Sequence, residues 1–450
     1  MKFWKFFAAT PLVIVNLWAA TPSGDDIVVP ERVLAGLDQI LRGAVQQSPR
    51  MVNRALDLQI AEDDRIQAHA GLLPSINGSA RYNQSRDDRA DVAGPLNVRK
   101  TYYDFSFSQP LYFWGERRNS ALAGEIREKI SKGQYRDGYR LLAQELRGQY
   151  LQLMVRKLTL ARARFYQQFA KAQVVLGEER LAKKVISEAE IFSVRITFER
   201  ADIELERLVF EYEGAKTNFA RLAGIPAITD SAIPDSIPAL TYEAPVIGRK
   251  LAGFLTQKEF PTLEAFALRN QIEIGNLEYL NQRTRLRPKF SFSMGLTQDE
   301  QAYNLNTAQK FRVNSKYAGL SVNWAIFDGF AAQSGMRNAL ARRRQMENDY
   351  HEMTERLAQQ AQTQARQIYF SARNMSISDR FLVSGEGYFR SKQEENKRGL
   401  VAETDVSISR LGLFDAQISA LNSRADYLLK IGDFLGTLTE DPVLANLSTK

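Results

Sequence analysis

The chain has only 14 prolines, and where they fall constrains its fold more than any other feature. None lies between Pro110 and Pro226, and none between Pro288 and Pro442. A proline inside a helix removes a hydrogen bond, clashes with the preceding turn and costs ~3 kcal/mol or more. The two gaps are therefore where long helices can run. Glu116 to about Lys184 is 69 residues without proline, and Phe330 to about Arg398 is another 69. At ~1.5 Å per residue each would extend roughly 100 Å. Globular helices average ~11–12 residues, so these two predict rods that leave any compact domain.

After each rod the chain returns. Ile191, Val194, Phe198, Ala201, Leu205, Leu208, Tyr212, Ala215, Phe219 and Leu222 recur at spacings of three and four, a coiled-coil seam of more than four heptads. At an offset of 215, Ala416, Tyr427 and Phe434 stand opposite Ala201, Tyr212 and Phe219. Ser409, Ser423 and Lys430 interrupt that second stripe, which predicts a looser and wetter seam.

The offset is general. Leu73-Pro74-Ser75-Ile76 and Arg287-Pro288-Lys289-Phe290 each precede a strand-like segment, 214 positions apart. Pro110-Leu111-Tyr112-Phe113-Trp114-Gly115 faces Trp324-Ala325-Ile326-Phe327-Asp328-Gly329 at 214. Val185 to Glu190 faces Leu400 to Asp405 at 215. Three landmarks in one order at one spacing indicate an internal repeat. The first copy is read over 21–225 and the second over 263–441. Between them, Pro226, Pro234, Pro238, Pro245 and Pro261 mark a linker at 226–262, and 442–450 form a tail.

Each copy predicts two strands, at about 76–83 and 101–111, and at about 290–297 and 317–327. Ile76, Ala80 and Tyr82 alternate with Asn77, Ser79, Arg81 and Asn83. Tyr103, Phe105, Phe107 and Leu111 alternate with Asp104, Ser106 and Ser108. Phe290, Phe292, Met294 and Leu296 alternate with small polar residues, as do Ala318, Leu320, Val322, Trp324 and Ile326. Such alternation means one apolar and one polar face. In a soluble sandwich the apolar face would meet a second sheet, and in a membrane barrel it would meet lipid. Tyr102, Tyr103, Tyr112, Trp114, Tyr317 and Trp324 gather at the strand ends, where an interfacial aromatic girdle would lie. The connections 84–100 and 298–316 read as long polar loops.

The N-terminus, Met1-Lys2-Phe3-Trp4-Lys5 followed by Phe6–Trp18, Ala19 and Ala20, has the shape of a secretory signal over 1–20. A hydrophobic N-terminal helix of a cytosolic protein is the alternative, and export is favoured. Past residue 20 no run of 18 apolar residues occurs, so any membrane crossing must use a closed β-barrel. The net charge of +8 is spread along the chain. Its tightest run, Arg342-Arg343-Arg344, lies in a helical pattern and reads as a solvated face rather than a nucleic-acid site.

Chemistry is sparse. With no cysteine, disulfides, thiolate metal sites, cysteine nucleophiles and a lipid-acylated N-terminal cysteine are excluded. His69 and His351 have no neighbour at metal-ligand spacing. Glu62-Asp63-Asp64 reads as a solvated helix face, and Gly385-Glu386-Gly387 is too short for a dinucleotide loop. No enzyme, cofactor or metal is expected.

These residues resemble the TolC-like outer-membrane efflux protein family over nearly all of the mature length. The resemblance is carried by Ser108 to Gly115 before a long helix, by Trp324 to Gly329, and by Gly399-Leu400-Val401-Ala402-Glu403-Thr404-Asp405 at the far turn. It implies an α+β membrane protein made of duplicated units of β-hairpin plus coiled-coil helical hairpin. Three copies would form a 12-stranded barrel continued by an α-helical periplasmic tunnel, since four strands cannot close a barrel and about eight is the minimum. It further implies an outer-membrane location extending into the periplasm and a passive exit duct of a tripartite efflux or type I secretion system. The partners would be outer-membrane lipid, a periplasmic adaptor and an inner-membrane pump. In that family the tips of the helical turns gate the entrance. Arg398, Glu403 and Asp405 stand at the second turn, and Lys184, Glu188, Glu190 and Arg195 at the first. Gly399, Leu400 and Val401 match the tip against which adaptors dock. Two departures are notable: Ile408 stands where close members place an aspartate facing the pore, and Lys184 replaces the glycine kept as Gly399. A periplasmic coiled-coil scaffold without a pore is the alternative reading.

Overall fold

The computed structural model describes residues 27–87, 94–302 and 310–447. The signal segment 1–20, the middles of the two hairpin connections and the last three residues of the tail lie outside the described residues. The first copy runs α1 (Pro30–Val33), α2 (Ala35–Gln47), α3 (Pro49–Ala70), β1 (Ser75–Asp87), β2 (Leu96–Tyr112), α4 (Glu116–Ala182) and α5 (Glu188–Ala223). After α6 (Ala244–Leu255), the second runs α7 (Leu263–Thr284), β3 (Lys289–Ala302), β4 (Lys310–Asn323), α8 (Ala331–Lys397) and α9 (Glu403–Thr437).

Both proline gaps are filled by single helices of 67 residues. Each begins after a left-handed residue that turns the chain out of the sheet, Gly115 at φ 86° and Phe330 at φ 66°. Each ends where the chain turns left-handed again, at Lys184 with φ 57° and at Gly399 with φ 75°. The seam predicted for α5 is where it meets α4, and Ile191, Ala201, Tyr212 and Phe219 are all buried.

The second seam differs from expectation. Ser409 and Ser423 are buried, and their hydroxyls donate to carbonyls of their own helix, Val406 O at 2.7 Å and Ala420 O at 3.0 Å. A side chain at Gly385 would come within 3.2 Å of the Ala416 methyl. Small residues make this seam close rather than loose. The two hairpins are joined by a clasp from α4 to α9. Arg162 forks onto Asp415 at 2.6 and 3.2 Å, and the Arg410 guanidinium lies over Phe165 at 4.7 Å.

Two apolar cores flank the waist of the helical part. One gathers Leu37, Leu41, Tyr139, Leu146, Tyr150 and Phe219, and the other Phe254, Met353, Leu357, Ile368, Tyr427 and Phe434. The proline-rich 226–262 segment packs onto them through buried Ile228, Ile233, Ile237 and Phe254. Between the cores sits Arg147, 1% exposed, which forks onto Asp441 at 2.8 Å through both terminal nitrogens. It also donates to Glu31 at 2.9 and 2.5 Å. Burial works against the Arg147 charge, but the hydrogen bonds and charges of Asp441 and Glu31 outweigh it and raise its pKa. Segments more than 100 residues apart in sequence meet on this one guanidinium.

The sheet is antiparallel in the order β1-β2-β3-β4, so β1 and β4 are its edges. Its strands are longer than predicted, at 13, 17, 14 and 14 residues. Much of what reads as loop is paired strand, such as Asn83 with Lys100 and Gln298 with Asn314. There the regular apolar rows break off, so hydrophobic alternation weakens although the backbone ladder continues. At the other end β4 stops at Asn323, and Trp324 and Ile326 lie outside it. The Trp324 indole donates to Leu286 O at 3.0 Å, and the chain turns into α8 at Gly329 and Phe330.

A candidate membrane-facing sheet and entrance gate

Residues opposite one another in a ladder share a face. One face carries the row Ile76, Phe107, Met294, Ala318 and the row Gly78, Phe105, Leu296, Lys316. The other carries Asn77, Ser106 and Gly295, then Ser79, Asp104, Thr297 and Ser315. The apolar rows begin at the Phe290–Val322 pair and end where Gln298 meets Asn314. Eight residues tilted by ~40° cover roughly 20 Å, close to the ~25 Å apolar band of a membrane barrel.

This register sorts the six predicted girdle aromatics. Tyr103 pairs with Ala80 and Gln298, on the apolar face. Tyr112 would point the other way by simple alternation, but a bulge between Pro110 and Tyr112 sets it opposite Phe290. Trp114 stacks edge-on against Tyr112 at 4.8 Å, and Trp324 lies just beyond its strand. Tyr102 and Tyr317 are corrected: they pair with Arg81 and Gly295, on the polar face. The Tyr317 ring lies where a Gly295 side chain would be. The alternation itself carries that parity, since Tyr102 is in step with Asp104 and Tyr317 with Gly319.

At the far end of the rods the two turns are built alike. At the first, the Ser187 hydroxyl accepts from Glu190 N–H at 3.3 Å while the Glu190 carboxylate accepts from Ser187 N–H at 2.8 Å. That reciprocal cap satisfies two free amides, and the Ser187 hydrogen bonds hold the Glu190 carboxyl below its ordinary range. At the second, Asp405 accepts from Ala402 N–H at 3.3 Å. The Asn396 amide donates to Val401 O at 2.9 Å. Val185 and Leu400 are the exposed apolar points of the two turns, at 68% and 70%.

The predicted gate residues separate into two groups. Arg195 reaches across to Glu178 on α4 at 3.2 Å, and Glu190 and Asp405 serve as caps. Lys184, Glu188, Arg398 and Glu403 form no side-chain hydrogen bond or ion pair among the described residues, and neither kind of bond links the two turns. Sequence reasoning missed Lys392 and Glu395, which pair at 2.7 Å just before the second turn. The Glu395 bond, with a smaller contribution from the Asp405 charge, raises the Lys392 pKa. The spacing of three on a helix is the signal that could have found them. Ile408 is 58% exposed beside this network.

Residues 40–224 match the family model described as outer membrane efflux protein. That stretch, less than half of the chain, is similar to the outer membrane efflux proteins. No curated relative matches the sequence. Among solved structures, the fold is similar to the outer membrane protein VceC of Vibrio cholerae, at a TM-score of 0.62 and 16% identity, covering 91% of this chain and 97% of that one. It is also similar to the Campylobacter jejuni CmeC outer membrane channel, at 0.66 and 12%, covering 90% and 86%. The open-state Neisseria gonorrhoeae MtrE outer membrane channel matches at 0.65 and 13%, covering 89% and 88%. These likenesses show that the chain shares the fold of the solved outer membrane channels.

Proposed function

We propose that three copies of this chain form a passive exit duct through the outer membrane and periplasm. Strands β1–β4 of each would make one 12-stranded barrel, and α4, α5, α8 and α9 of each would continue it as a tunnel. The observation that carries this reading is the open sheet. Edges β1 and β4 are hydrogen-bonded on one side only, and an unpaired backbone group in hydrocarbon costs several kcal/mol. Pairing β4 of one copy with β1 of the next satisfies both edges, and three copies close the ring. The helices support the same assembly. Phe192, Ile203 and Phe210 on α5 are 64–79% exposed, and so at 53–64% are Phe370, Ile377, Phe381 and Tyr388 on α8. Their spacings of four, seven and eleven make stripes suited to packing against a neighbouring hairpin.

In this reading an inner-membrane pump hands substrates over through a periplasmic adaptor docked at Gly399, Leu400 and Val401. Drug efflux and type I secretion would use the same duct, because the pump does the selecting. Lys184, Glu188, Arg398 and Glu403 would meet charges of neighbouring copies, and together with Lys392, Glu395 and Asp405 hold the entrance closed. Purified protein should migrate as a heat-modifiable trimer and conduct in planar bilayers. A soluble periplasmic scaffold with no conductance would refute the duct. Asp405→Asn keeps an acceptor for the Ala402 amide while removing the charge, so it should raise single-channel conductance. Unchanged conductance would remove Asp405 from the gate.

A further inference from the structure

The foot of the sheet carries a cluster used by neither the strand pattern nor the gate. Phe113 and Trp114 follow the bulge of β2. The Arg117 guanidinium lies 5.0 Å from the centre of the Phe113 ring, and the Lys289 ammonium approaches the same ring at 5.6 Å. The Arg287 guanidinium covers the Trp114 ring at 4.7 Å. Trp114 is held in place, with its indole N–H donating to Pro288 O at 2.8 Å and its backbone in the left-handed region at φ 54°. A bulky residue adopts that conformation only when its surroundings fix it.

The charges do not balance. Lys289 pairs with Glu116 at 2.5 Å. Arg117 and Arg287 are exposed and have no carboxylate partner among the described residues. A guanidinium stacked on an aromatic ring uses its flat face and leaves its fork of N–H donors free at the edge. Such a fork fits a phosphate through two parallel hydrogen bonds. At the same foot of the sheet Leu73, Leu111 and Tyr112 are exposed, and Tyr112, opposite Phe290, continues the apolar face. A site with two free cations beside an apolar strip fits a ligand with a phosphate and acyl chains. A soluble phosphate would make no use of the strip.

We infer that Arg117 and Arg287, seated on Phe113 and Trp114, bind the phosphate of an anionic phospholipid in the periplasmic leaflet of the outer membrane. This rests on the barrel reading, which puts the foot of the sheet at that water–lipid boundary. The assembled full-length protein, titrated with phosphatidylglycerol or phosphatidylcholine and read by native mass spectrometry, tests it. Phosphatidylglycerol should be retained preferentially, and Arg117→Gln/Arg287→Gln should cut its retention about 30-fold. Arg117→Lys/Arg287→Lys keeps both charges without the forks and should retain clearly less than the parent, and this pair decides the matter if the glutamine variant does not assemble. Equal retention of the two lipids, a glutamine variant as retentive as the parent, or displacement by millimolar inorganic phosphate would overturn the inference while leaving the barrel intact. A protein that takes up neither lipid and forms no channel would instead overturn the barrel reading.

Discussion

Replacing Arg147 by methionine should release both ends of the chain from the waist. Methionine matches the length and packing of the side chain but supplies no charge or donor. It would leave Asp441, whose side chain is 1% exposed, and Glu31, at 9%, facing each other without a cation. Removing one member of a buried ion network typically costs ~3–5 kcal/mol, because a desolvated charge is left behind. Asp441 keeps one hydrogen bond, from Val443 N–H at 3.1 Å, which argues for the middle of that range. About 4 kcal/mol is roughly a 1,000-fold change in an opening equilibrium. Hydrogen exchange should report it locally, as faster exchange around residues 30–34 and 442–447. The tail is also tied by the buried Val443 and by the bond from Asn446 to the Tyr139 hydroxyl at 3.1 Å. Removing all three charges in Glu31→Gln/Arg147→Met/Asp441→Asn should recover most of the loss, since neutral replacement of a buried network is often cost-free. An Arg147→Met protein whose terminal exchange rises less than tenfold would refute the reasoning. So would a triple variant no better than the single one.

Other outcomes follow from the turns and the waist. Lys184→Gly removes a left-handed strain of ~1–2 kcal/mol and adds a smaller entropic cost, so the first turn should gain ~0.5–1 kcal/mol in local exchange. Gly399→Ala should lose about as much at the second turn. Gly224 has φ 77°, and a methyl there would sit 2.1 Å from Gln47 O. Gly224→Ala should therefore cost more than ~2 kcal/mol and lower the thermal midpoint by several degrees. Burial raises the Asp433 pKa above the ordinary carboxylate range, with Asp426 adding to it against Lys430, Arg140 and Arg147. The folded state then holds a proton that the unfolded chain releases near pH 4, and stability falls as pH rises through that window. Asp433→Asn should accordingly raise the thermal midpoint at pH 7 and lose its advantage below pH 4; an equal gain at both pH values would contradict this.

The long helices were legible because absence of proline is a global signal, and the α5 seam because bulky apolar residues mark every turn of it. The second seam was misread since serine looks polar in a sequence, while in a helix its hydroxyl can bond back to its own backbone and bury. Strand ends were misplaced for the opposite reason: pairing outlasts the apolar rows, and backbone hydrogen bonds leave no mark on composition. Arg147 gave no local signal at all. It follows Leu146 in a helix, and its partner Asp441 lies 294 positions away.

The two halves have the same order and spacing of long helices and strands but differ in their side chains. Helices α4 and α8 start 215 positions apart, and so do α5 and α9, so boundaries read in one copy transfer to the other. Sites do not. Ser187 and Ala402 hold the same place before the returning helix, yet only the serine can accept a hydrogen bond. Glu190 therefore shares its cap with a hydroxyl, whereas Asp405 caps the start of its helix without one. An alanine at Asp405 would remove the cap and the charge together, and a rise in conductance could then come from a frayed tip. The asparagine variant separates the two, because an amide oxygen still accepts from Ala402 N–H. An open channel in that variant would assign the effect to charge.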